Sequence, residues 1–216
     1  MTQHNPHQLF LQWALLTSLT FFGLYISWDK GLLQWVIITD NTRICAIILA
    51  VFVAGTLFAG WRSLYLGQQS IYFDQVCTGK ADLKQGQSFC HDYLSKPLGH
   101  PSEGGLLAEV MAEKARGPHQ LGWFTTSLML KLGLLGTVVG FVMMLSSLEG
   151  LQELDISDIK YLMKQMTQGM GVAMNTTLVG LVGSILLGFQ FLLLDRHADR
   201  LIAATVDHAH KNLKAD

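Results

Sequence analysis

The chain has 216 residues, half of them hydrophobic and only 14% charged, with a formal net charge of −1. There is no basic excess of the kind nucleic acid attracts, and no nucleic-acid partner is expected. A soluble domain of this length could also be apolar, so the distribution along the chain decides the class.

The apolar residues are gathered in four runs, Leu9 to Trp28, Ile44 to Trp61, Leu128 to Leu148 and Met170 to Leu194, of 20, 18, 21 and 25 residues. A helix crossing the bilayer core needs roughly 17–25. Three runs carry no charge, and the third has only Lys131, near enough to its start for the side chain to reach the headgroups. The first run follows "MTQHNPHQ", which has no Lys or Arg, and no small-residue cleavage site follows it, so a retained span is expected. The expected fold is an all-α integral membrane protein with four transmembrane helices and helical cytoplasmic extensions. Its parts are a hairpin over 1–61 (spans about 9–28 and 44–61), a cytoplasmic segment over 62–127, a second hairpin over 128–194 (spans about 128–148 and 170–194) and a tail over 195–216.

Lys and Arg number ten on the side of the termini and the 62–127 segment, against four on the other side. The positive-inside rule then puts both termini in the cytoplasm. The first hairpin closes through "DKGLLQWVIITDNTR", whose Trp35 suits the outer interface. "WRSLYLGQQSIYF" continues the second helix, and turn-rich stretches follow. Ser102 is placed to cap a short helix, "EGGLLAEVMAEKAR", with Leu106, Leu107, Val110 and Met111 on one face and "GPHQLGW" as its end. The fourth span is expected to run on into the tail, where Leu194, Ala198, Leu201, Thr205 and Ala209 recur at helical spacing for packing on a neighbouring helix.

A disulfide is not expected on the reducing cytoplasmic side. Cys77, Cys90, His91 and His100 match no standard zinc spacing. All eight histidines lie outside the four runs, which speaks against haem held between the spans and against an enzyme; no cofactor is expected.

The third and fourth runs are chemically odd. Gly133, Gly136, Thr137, Gly140 and Met144 share one helix face, as do Ala173, Thr177, Gly180, Ser184 and Gly188, with Thr176 and Gly183 alongside. Small faces let backbones approach in lipid, so one reading is a four-helix membrane scaffold with glycine-mediated packing only. The other starts from Thr137 and Thr177, at similar depth in an antiparallel hairpin, with Asn175 and Thr176 beside them. These offer uncharged ligands for an ion or water, while no span supplies Asp, Glu or His to carry a proton. A transported ion would then require a carboxylate from a partner.

"KLGLLGTVVGFV", followed about thirty residues later by "GMGVAMNTTLVGLVGSIL", resembles the MotA/TolQ/ExbB proton-channel family over roughly residues 126–196. Two early spans resemble the MotA branch. The resemblance implies a homopentamer in the bacterial inner membrane around two copies of a single-span MotB/TolR/ExbD-like partner. That partner carries the essential Asp, and ion flow (H⁺ first, with Na⁺ left open by the extra oxygens of Asn175 and Thr176) turns one part against the other as in a stator motor. It also implies that Thr137 and Thr177 face the ion path, and that Gly133, Gly136, Gly140 and Gly180, on faces shared with Ala173 and Ser184, admit the partner's helix. Three positions depart from the family pattern: Leu130 stands where many members have Pro, Val172 where TolQ and ExbB have Glu, and Lys131 is unusual.

Overall fold

The computed structural model describes residues 8–31, 42–77, 101–146 and 156–213. Among them are four helices and no strand: α1 (Gln8–Asp29), α2 (Ile44–Cys77), α3 (Pro101–Ser146) and α4 (Ile156–Leu213). Trp35, Cys90, His91 and His100, and the turn-rich stretch after α2, lie outside the described residues.

Among the described residues three helices are long and apolar enough to cross a membrane, over Ile44–Gln75, Gly105–Ser146 and Ile159–Ala209. The fourth, α1, covers the first apolar run. It ends where Gly31 takes a left-handed φ of 71° and its amide turns back to the Trp28 carbonyl at 2.9 Å, the glycine stop of a helix C-terminus.

The short helix expected to end at "GPHQLGW" is instead part of α3, which runs unbroken from Pro101 to Ser146 through Gly117 and Pro118. Ser102 is therefore inside the helix rather than its cap. Proline removes one amide donor and crowds the preceding turn. In that turn Arg62 of α2 donates to the Ala115 carbonyl at 2.7 Å, a side-chain donor of the kind that lets a helix pass through proline. Continuation of the second run and of the fourth run is observed, since α2 extends to Cys77 and α4 to Leu213. The tail stripe is buried throughout: Leu194, Ala198, Leu201, Thr205 and Ala209 are all at or below 6% exposure.

The contacts divide the chain into two units, each built from several segments. One comprises Met1–Thr17, Leu57–Trp123 and Phe189–Asp216; the other comprises Ser18–Thr56 and Phe124–Gly188. The core of the second contains Cys45, Ile48 and Phe52 of α2, Met129 of α3, and Val172 and Leu187 of α4. The core of the first contains Ala59 and Leu66 of α2, Met111 and Ala115 of α3, and Phe191, Leu194, Ala198 and Leu201 of α4. Here a Cβ at Gly60 would run into Trp13 of α1, and one at Gly122 into Phe191.

Candidate functional site

In the unit holding Phe124–Gly188, α3 and α4 lie antiparallel and nearly backbone to backbone. A Cβ at Gly140 would stand 2.6 Å from the Gly169 carbonyl oxygen and 2.7 Å from the Ala173 amide nitrogen. One at Gly180 would meet the Gly133 Cα and the Met129 carbonyl at 2.9 Å, and one at Gly136 would strike the Thr176 side chain. The close approach served by Gly133, Gly136, Gly140 and Gly180 is thus between two helices of one chain. Within the chain these glycine faces of α3 and α4 pack against each other.

The four polar residues expected on the ion path separate into an inward and an outward set. Thr176 is wholly buried beneath Gly136, and its hydroxyl donates to the Val172 carbonyl at 2.9 Å. Asn175 is also buried, and its Nδ2 has no hydrogen-bond partner among the described residues. Thr177 is half-buried, with its hydroxyl donating to Ala173 O at 3.0 Å and lying 3.4 Å from Gly133 O. Thr137 alone reaches an open groove of about 500 Å³ beside the helix contact. Val138, Gly140, Phe141, Met144, Met170 and Ala173 line the same groove. The Thr137 hydroxyl donates to Leu134 O at 2.6 Å, which leaves its lone pairs toward the groove.

Of the remaining expected residues, Ala173 joins Thr137 at the groove, and Ser184 is half-buried one position beyond Gly183, which packs on Met129. At the departures from the family pattern, Leu130 is exposed and Val172 is buried in the core.

Within the other unit, sequence reasoning missed a buried polar cluster. Arg62 of α2 and His119 of α3 are 5% and 1% exposed. The Arg62 Nε donates to His119 Nε2 at 3.2 Å, and His119 Nδ1 lies 2.5 Å from Asp195 Oδ1 of α4. Trp123 Nε1 donates to the other Asp195 oxygen at 2.8 Å, and the Arg62 guanidinium sits over the Tyr65 ring at 4.7 Å. An accepting Nε2 requires the neutral ring with its proton on Nδ1, which then donates to Asp195. These groups lie outside the charge-free runs. Burial pulls the His119 pKa below its ordinary 6.5, against the opposing hydrogen bond and charge of Asp195.

Residues 106–206 match the model of the MotA/TolQ/ExbB proton channel family. No curated protein and no solved structure matches the chain. The α3–α4 contact and the groove beside it both fall inside the matched stretch, which is just under half of the chain and is similar to the MotA/TolQ/ExbB proton channel family, whose members are channel subunits of energy-transducing membrane complexes.

Proposed function

We propose that the chain is the channel-forming subunit of a rotary machine driven by ion-motive force, five copies surrounding two copies of a single-span partner whose carboxylate carries the ion. The observation that carries this reading is the groove: apolar but for Thr137, without an ionisable side chain in its lining, and open beside a helix pair already filled from within. A helix bearing one carboxylate fits such a surface, with Thr137 as the polar neighbour of the passing ion and Thr177 behind it. One hydroxyl toward the groove suits proton transfer, whereas Na⁺ requires several oxygens. The burial of Asn175 and Thr176 within the chain supports H⁺ over Na⁺ in this reading.

The exposed apolar surface supports assembly in a membrane. Only 22% and 28% of the apolar windows of α3 and α4 are buried within the chain, so lipid or other subunits must cover the rest. In this reading α1 is a fourth span, and its exposed Leu11, Leu15, Leu19 and Phe22 meet lipid or a neighbouring subunit. Both termini and the Arg62–His119–Asp195 cluster face the cytoplasm of a bacterial inner membrane.

A four-helix scaffold without ion passage is the second reading, favoured by the use of the glycines within the chain. Native mass spectrometry of the protein extracted gently from its own host separates the two. Five copies accompanied by two of a small single-span subunit is the expected result. A monomer, or a homo-oligomer that never carries a carboxylate-bearing partner, overturns the channel reading and leaves the scaffold.

A further inference from the structure

The buried cluster of Arg62, His119 and Asp195 joins three helices through one imidazole ring, and none of its members lines the groove. Both ring nitrogens are committed. Nε2 must keep its lone pair to accept from Arg62, and Nδ1 must carry the proton to donate to Asp195. Protonation therefore changes the two links in opposite ways. A second N–H on Nε2 would point at the Arg62 N–H, setting donor against donor and cation against cation in a site closed to water. The same proton strengthens the link to Asp195, where an imidazolium meets a carboxylate.

We propose that His119 is a regulatory proton-binding site, at which uptake of a proton on Nε2 releases α2 from α3 while α3 stays fastened to α4. The groups facing the ring account for this asymmetry. From α2 come Arg62 and, stacked beneath it, Tyr65. From α3 itself come Arg116, already paired with Asp199 at 2.7 Å, and Trp123, which donates to Asp195; from α4 come Asp195 and Asp199. The part of α1 in this unit packs at Gly60 through Trp13 and has no charged side chain among its described residues. Arg62 lies outside the matched stretch 106–206, so the latch couples the matched segment to α2. Its bearing on ion passage rests on the channel reading above; the latch itself does not.

Hydrogen exchange read by mass spectrometry on the full-length protein in detergent, from about pH 8 down to about pH 4.5 and so covering the ordinary histidine range and the range below it, tests it without any ion flux. A failure here is thus distinct from a failure of the channel reading. After correction for intrinsic exchange, α2 peptides around Arg62 are expected to lose protection several-fold as the pH falls through the transition, while α4 peptides around Asp195 hold theirs. His119→Gln, which gains no proton, is expected to flatten the profile. Asp195→Asn removes the charge that favours the imidazolium and is expected to move the transition to lower pH. A pH-independent α2 in the wild-type protein overturns the proposal, and so does a transition that persists unchanged in His119→Gln.

Discussion

Thr176 of α4 fills the space that a side chain on Gly136 of α3 would need, and its hydroxyl is turned back onto its own helix at Val172. The two residues are halves of one fit, so the pair predicts a non-additive response. Gly136→Ala gains up to about 1 kcal/mol from helix propensity. It drives the new methyl into a stiff, fully buried threonine, and overpacking of that kind costs about 1–3 kcal/mol. A net loss is expected. Thr176→Ala in the same chain vacates the space, so the double variant should be more stable than the two single effects summed. Thermal unfolding in detergent checks it. A Gly136→Ala protein that melts no lower than wild type would show that the helices do not approach so closely. Gly23→Ala, with nothing within 4 Å of its Cβ, is the control expected to be neutral or slightly stabilising.

Thr137→Val separates folding from ion passage. The hydroxyl bonds only to Leu134 of its own helix at an exposed site, so its removal should move stability by less than about 0.5 kcal/mol. In the channel reading the same change strips the groove of its polar neighbour for the ion. Flux in vesicles containing the whole complex should fall at least several-fold while the melting temperature holds. Unchanged flux alongside unchanged stability would remove Thr137 from the path.

The membrane class and the helix pairing were legible because lipid leaves few choices. Uncharged runs of bilayer length become helices, and small residues at helical spacing mark where backbones meet. Burial of the stripe from Leu194 to Ala209 followed from the same periodicity. Two things were not legible. Gly117 and Pro118 read as a stop, because local propensity cannot register a donor arriving from Arg62, far away in the chain. Nor could spacing alone bring His119 to Arg62 and Asp195, which lie 57 and 76 residues from it. A signal did exist: Arg62 and Asp195 each stand one position past the end of a charge-free run. Parallel packing of those two helices places both charges at one level, and an antiparallel α3 brings the stretch before its own run to meet them. Which small residues pack within the chain depends on the packing of three helices at once, and in the sequence alone all of them carry the same signature.

Asp195 and Asp199 sit one helical turn apart on α4, both paired with groups on α3, and their removal should have very different consequences. The Arg116–Asp199 pair has both side chains about half exposed, at 53% and 51%, so water screens and competes with it. Exposed pairs of this kind contribute about 0–1 kcal/mol. Asp195 accepts from the buried His119 and from the exposed Trp123, and losing it strands the buried imidazole N–H, while the indole N–H can turn to solvent. Stranded donors cost about 1–3 kcal/mol each, the larger figure applying where burial is complete. His119 is 1% exposed, so Asp195→Ala should lower stability by about 1–3 kcal/mol, against less than about 1 kcal/mol for Asp199→Ala. His119→Leu in the Asp195→Ala background removes the stranded donor and should recover part of the loss. Paired melting curves of the four proteins at about pH 8, where the ring is neutral, decide the matter: equal losses for the two aspartates would mean that the cluster around His119 is open to water, and the argument for a proton-operated latch would lose its footing with it.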